Sequence, residues 1–259
     1  MKIKDRLWNW GHLEGSHNAC TGLKCSMTPE QFAEEYGVKN AFIVSYGGNI
    51  QPPFEELAKR LSPLKEIKWS VLGDASTPLP DDELGWAPSI CDTAKKVNNI
   101  TGGIVDDFFS PKRIERFTPE VLKKIQTRLH ENGLDFWCVL YKNDLEKDID
   151  AHLDCFDGIT FWIWDSVDIN NIDEITDSIL EKANGKPVML GVYLWDYASK
   201  TYMPTDLFKR QLDKYFGLLA EGSISGIVFC SSTLGDAPLE TNAVLKEYIK
   251  LYGGRDIKE

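Results

Sequence analysis

Positive charge is in short supply in this 259-residue chain, where Lys plus Arg number 29 against 40 for Asp plus Glu and the formal net charge is -11. Duplex nucleic acid and anionic membrane surfaces repel such a chain unless a local basic patch offsets the field. The densest basic run, PKRIER at 111–116, is short and mixed in sign. Nucleic acid is therefore not an expected partner. Long apolar runs are also lacking: no stretch approaches the ~20 residues of a membrane span. The N-terminal MKIKDRLWNWGH has no apolar core of the roughly 7 to 15 residues that a secretory leader needs. No membrane partner is expected, and the sequence reads as a soluble, cytoplasmic protein, although a leader already removed would leave the same text. Histidine is scarce, at 4 residues, and the 6 cysteines offer one close pair, Cys20 and Cys25, with no second pair downstream to complete a zinc site. Cys138 and Cys230 lie inside apolar runs and read as buried thiols. No metal and no cofactor is expected.

What is present is one pattern repeated from end to end. Short runs rich in β-branched and aromatic residues alternate with segments of helical period. The strands are expected at 7–12, 40–48, 66–74, 102–109, 134–142, 158–165, 187–196 and 226–232. Between them the helix ends are legible. Thr28 and Thr118 each precede Pro-Glu, an N-cap followed by Pro at the first helical position, and Gly37 and Gly133 stand where C′ glycines belong. Thr28 with Gln31 fits a capping box. From Leu207 to Leu219 the stripe Leu207, Phe208, Leu212, Tyr215, Phe216 and Leu219 marks a helix laid on a sheet. Eight strands joined by helical crossovers imply parallel pairing, and the simplest solution at this length is one α/β domain over 1–259, a (β/α)8 TIM barrel. An open doubly wound sheet would call for a glycine-rich phosphate turn after the first strand, and GHLEGSH is not one.

The fourth, sixth and eighth strands begin GGI, DGI and SGI. Alternate strands of a barrel feed the same interior layer, so Gly103, Gly158 and Gly226 are expected to point inward. Counting in twos from them turns Val105, Asp107 and Phe109 into the barrel, with Thr160, Trp162 and Trp164 from the sixth strand and Gly191, Tyr193 and Trp195 from the seventh. The same count faces Asp106 and Asp165 toward the helices.

Barrel active sites sit at the C-terminal strand ends. That rim collects Trp8, Trp10, His12, Tyr46, Asp74, Asp106, Asp107, Tyr141, Lys142, Trp162, Trp164, Asp165, Tyr193, Trp195, Asp196, Ser231 and Ser232. Flat aromatic faces beside carboxylates and hydroxyls suit a polar ligand with apolar C–H faces, and a sugar is the common case. Each residue also has a plainer use. Trp8 and Trp162 can plug the barrel, Asp106 can accept a backbone N–H, and Asp165 and Asp196 can be caps. His12, one histidine among scattered aspartates, is not a ligand spacing, and His17, His130 and His152 read as ordinary. Asp107 is the exception, because an inward carboxylate at a barrel mouth is hard to explain by packing.

GGIVDDFF ending a fourth strand and DGITFWIWD for the sixth resemble the (β/α)8 glycoside hydrolases. The resemblance covers the architecture and, by motif, only a small part of the chain. There is no Asn-Glu at the fourth strand, no glutamate ending the seventh and no DxxDxDxE series of the chitinase type. An Asp pair from the fourth and sixth strands is similar to that of α-galactosidase-like barrels and would map onto Asp107 and Asp165, with Asp106 and Asp196 as substitutes for the second carboxylate. The resemblance implies hydrolysis of a glycosidic bond in a carbohydrate substrate. The tryptophans, with Tyr141, Tyr193 and His12, would then hold the sugar. Two other readings remain: a Schiff-base lyase or aldolase using Lys142, and a carbohydrate-binding barrel without catalysis.

Overall fold

In the computed structural model, which describes residues 1–258, eight parallel strands close into one barrel. They are β1 (Leu7–Gly11), β2 (Asn40–Ile43), β3 (Glu66–Ser70), β4 (Ile100–Val105), β5 (Asp135–Tyr141), β6 (Gly158–Trp162), β7 (Val188–Tyr193) and β8 (Gly226–Cys230). Each pairs with its neighbours in the sequence, and β1 pairs with β8 to close the ring. Seven fall inside the segments expected from the sequence, β4 begins two residues early at Ile100, and all eight stop one to five residues before the expected C-terminal ends, because the last polar and aromatic residues of each segment leave the ladder and form the rim. The seventh segment divides: β7 ends at Tyr193, and Trp195–Asp196 instead pairs with Thr201–Tyr202 in a small antiparallel ribbon.

The helices follow their sequence signals. Pro29–Tyr36 opens on Thr28, whose Oγ1 accepts from the Gln31 N–H at 3.3 Å while Gln31 Oε1 accepts from the Thr28 N–H at 2.9 Å. That is the reciprocal capping box. Thr118 differs, its hydroxyl donating to the Glu120 carboxylate at 2.7 Å rather than capping the backbone. Along Thr205–Ala220 the expected stripe is buried at Phe208, Leu212, Tyr215, Phe216 and Leu219, and Gln211 joins it by donating to the Gly191 carbonyl. The crossover after β5 carries a 3-10 turn, Lys142–Asp144, and a one-turn α-helix, Asp150–Leu153.

Aromatic side chains fill the barrel, and glycines make room for them. A Cβ on Gly191 would lie 2.1 Å from the Trp162 ring, one on Gly158 would lie 2.6 Å from the Trp137 ring, and one on Gly226 would approach Trp8 to 3.3 Å. Gly158 and Gly226 therefore face inward as expected. Gly103 does not: its Cβ would meet Val71 and Leu129, the latter on the helix Pro119–His130, whereas Gly102 faces the interior beside Asp135. A register shift between Ile67 and Lys68 sets β3 against β4 one residue away from the alignment that the repeated GI suggests. The inner frame of β4 is thus Gly102, Ile104 and Asp106. Lys68 opposes Gly102 and lies almost wholly buried, its Nζ 2.5 Å from the Asp135 carboxylate and 5.0 Å from the Trp137 ring centroid.

Candidate active site

At the C-terminal ends of the strands the barrel opens into a cleft of about 810 Å³. Its walls are aromatic: Trp10, Tyr46, Tyr141, Trp162, Trp164, Tyr193, Trp195 and Tyr197 all line it. Trp10 and Trp162 meet edge to face at 5.1 Å at the floor, and Trp162 packs on Tyr193 at 5.0 Å. Higher up, Trp164 is 48% exposed and is held by Tyr193 at 5.7 Å and by the stacked ring of Tyr197 at 5.9 Å. A large aromatic face kept open at a cleft mouth by other rings is a platform for an apolar ligand face.

Four carboxylates line this cleft, Asp74, Asp106, Asp107 and Asp144, and two of them are adjacent in sequence. Asp106 continues the inner frame of β4 and is 7% exposed. Its Oδ1 accepts from the Asp107 N–H at 2.8 Å. Burial pushes its carboxyl well above the ordinary aspartate value, with repulsion from Asp107 and Asp74 adding and Arg113 partly opposing. Asp106 therefore favours the protonated state. Asp107 reaches the cleft by another route: its backbone is left-handed, with φ 49, which swings the side chain out of the strand frame. Few residues other than glycine take that conformation, although Asp and Asn do so most readily. Its Oδ1 accepts from the Tyr141 hydroxyl at 2.8 Å and its Oδ2 from the Ala75 N–H at 3.0 Å. Burial keeps the Tyr141 phenol protonated by raising its pKa well above the usual value, so it remains a donor.

Arg113 holds this corner together. Its buried guanidinium donates to the carbonyls of Gly73 at 3.0 Å, Asp106 at 2.6 Å and Asp74 at 2.5 Å, tying the turn after β3 to the turn after β4. It belongs to PKRIER, where its neighbours Lys112 and Arg116 give no sign of a buried role. Asp74, also in the cleft, is saturated by Gly47, Ser76 and Thr77.

Other expected site residues lie elsewhere. Trp8 is buried in the barrel interior, where its ring lies 5.0 Å from that of Phe42, and it does not line the cleft. Asp165 is exposed and caps the 3-10 turn Ser166–Asn171 by accepting from the Val167 N–H at 3.1 Å. Asp196 is buried and accepts from the Ser166 hydroxyl at 2.6 Å and the Ser199 N–H at 2.9 Å, pinning the ribbon. Lys142 pairs with Asp168 at 2.6 Å outside the cleft lining. The lysines that do line it are Lys147 and Lys200.

His12, His17 and Cys230 come together on the side where the barrel closes, each with a ligand atom within 4.8 Å of the others. His12 follows β1, His17 lies in the loop beyond it, and Cys230 ends β8 beside Trp10. Burial keeps both rings neutral: His12 is held well below the usual imidazole value, and His17 is brought down to about 4 despite Asp74 pulling it up. His17, Cys230 and Tyr197 carried no signal in the sequence, because Cys230 sits in an apolar run and the other two in loops.

No protein-family model matches this chain, and no curated protein matches it. Solved structures share the fold. The catalytic domain of a hyperthermophilic chitinase from Pyrococcus furiosus aligns with a TM-score of 0.61 at 10% identity, covering 96% of each chain. The spore cortex-lytic enzyme SleL of Bacillus megaterium aligns at 0.57 and 12% identity over 98% of this chain and 75% of the other. A mutant tryptophan synthase α-subunit from Pyrococcus furiosus aligns at 0.51 and 12% identity over 96% and 98%. At such identities the likeness is one of fold, and the same barrel carries more than one chemistry among these neighbours.

Proposed function

We propose that this barrel is a glycoside hydrolase whose working groups are Asp106 and Asp107. The observation that carries the reading is a pair of carboxyl groups at an aromatic-walled barrel mouth, with burial driving one toward its protonated form. Glycosidic cleavage needs one carboxylic acid to protonate the leaving oxygen and one carboxylate to act as base or nucleophile. Asp106, favoured as the acid by burial, fits the first role. Asp107, steadied by Tyr141 and Ala75, fits the second. Trp164, Tyr193 and Trp195 would hold the sugar rings, and Tyr141 and Tyr46 would meet hydroxyls. The chitinase among the fold neighbours acts on a carbohydrate by its name, which supports a saccharide substrate. Against the Schiff-base reading, Lys142 pairs with Asp168 at 2.6 Å and does not line the cleft.

The test is a panel of aryl glycosides and oligosaccharides offered to the native protein and to Asp107→Asn. Asn takes a left-handed backbone as readily as Asp, so the substitution removes charge and leaves the turn intact. Sugar release by the native protein, reduced about 100-fold or more in the variant, supports the assignment. Saccharide binding without release by either protein would instead establish a binding barrel.

A further inference from the structure

We propose that His12, His17 and Cys230 form a zinc site at the barrel rim, with the fourth coordination position open to the cleft. This goes beyond the hydrolase reading and uses none of its carboxylates.

Three observations carry it. Two imidazoles and one thiol converge to within 4.8 Å, and all three side chains are nearly sealed from solvent, at 4%, 3% and 4% exposure. Both ring nitrogens of His12 are buried without a hydrogen-bond partner among the described residues. A neutral imidazole presents one donor and one acceptor, and leaving both unmet inside a protein is costly. The His17 ring, by contrast, is oriented: its Nδ1 lies 3.1 Å from the Ser16 hydroxyl, which leaves the other nitrogen for a ligand, an arrangement common around metal-bound histidines.

Packing explains part of this cluster but not its edges. The His12 and His17 rings lie 4.6 Å apart and His17 stacks on Tyr46 at 5.2 Å, so the faces are satisfied as aromatic surface. Stacking does nothing for nitrogens at the ring edge. A zinc ion does, since it binds neutral imidazole at about 2.0–2.1 Å and thiolate at about 2.3 Å, and three protein ligands with one open position is the arrangement that leaves room for water or a substrate oxygen. The three ligand atoms would have to close by about 1 Å to reach tetrahedral spacing. Two imidazoles and a thiolate form a donor set of intermediate softness, which suits zinc better than calcium or magnesium. The open position would face the cavity that His12, His17 and Cys230 line together with Trp10 and Tyr197, and a ligand oxygen there would be a saccharide hydroxyl or water.

The experiment strips the full-length protein with chelator, then titrates Zn²⁺ by calorimetry and Co²⁺ by absorption spectroscopy. The proposal expects one equivalent of zinc, a thiolate-to-cobalt charge-transfer band, and loss of that band with about 100-fold or more weaker zinc binding in Cys230→Ser. His17→Gln should weaken binding in the same direction, while Cys155→Ser, far from the cleft, should leave it unchanged. To guard against a misfolded variant, alkylation of Cys230 in the native protein is followed by mass spectrometry, and zinc should slow it at least 10-fold. Equal alkylation with and without zinc, or a cobalt band that survives Cys230→Ser and vanishes in Cys20→Ser, overturns the site. Either result is independent of sugar release, so the hydrolase reading stands or falls separately.

Discussion

At the residue scale, Asp106 makes a prediction whose sign follows from its burial. Its folded carboxyl titrates well above the 3.8 of an ordinary aspartate. Between those two values the folded state holds a proton that the unfolded state has released. Stability from this group is therefore full below the ordinary value and is lost as pH rises through the raised one. Asn has no proton to lose, so Asp106→Asn should gain on the native protein in urea midpoint as pH climbs from about 4 to 8. A difference that stays flat across that range would contradict the protonated assignment. Gly191 makes a second prediction, because a methyl group there would sit 2.1 Å from the Trp162 ring. Gly191→Ala should cost about 1–3 kcal/mol in denaturant unfolding and disturb the cleft floor. Trp164 makes a third. As an open platform it should contribute ground-state and transition-state binding alike, so Trp164→Ala should raise KM about 5- to 10-fold with kcat nearly unchanged. Sequence alone could place Trp164 on the rim by alternation; it places Asp107 there too, but on the Gly103 frame that the structure reverses, and Asp107 reaches the cleft through its left-handed turn instead. Sequence could not orient Asp106, since choosing between Gly102 and Gly103 as the interior residue depends on a register shift in the neighbouring strand. The Gly-Trp pairs were equally hidden: which ring lies over which glycine is decided across strands, not along one.

At the scale of elements, the strands and the helices that open at Thr28 and Thr118 or run along residues 207–219 were legible because each announces itself locally, through β-branched runs, Thr-Pro-Glu starts, terminal glycines or an apolar stripe. The connections that position the site are not local. Arg113 ties the turns after β3 and β4 through three carbonyls, and nothing in PKRIER distinguishes it from the exposed arginine beside it. Lysine cannot reproduce a planar fork reaching several acceptors. Arg113→Lys should thus lower kcat about 10-fold or more, since misplacing catalytic groups by a fraction of an ångström is expensive, and should reduce stability by about 1–3 kcal/mol. A variant with native turnover would show that these turns hold their shape without it. Asp165 and Asp196 illustrate the same limit from the other side. Both stand at the ends of strand segments and read as rim carboxylates, yet one caps a 3-10 turn and the other pins the ribbon through Ser166 and Ser199. A carboxylate at a strand end serves backbone donors whenever the next turn needs a cap.

For the whole molecule, closing the barrel is what makes the site. β1 and β8 meet only because the ring shuts, and that seam sets Trp10 beside Cys230 and brings His12 and His17 into the same wall. Fold class followed from eight alternating units without any family match, whereas the grouping of residues more than 200 positions apart in the sequence could not be read from spacing. The aromatic cleft and the two adjoining aspartates come from different parts of the chain, and the proposal of saccharide hydrolysis rests on their meeting at one rim. The most direct measurement of that claim takes a saccharide that the native protein binds, and compares its binding and its turnover in the native protein, Asp106→Asn and Asp107→Asn. The account predicts that both variants retain affinity within about 10-fold while releasing sugar at least about 100-fold more slowly. Undiminished sugar release by Asp107→Asn, with the saccharide bound as tightly as before, would contradict it.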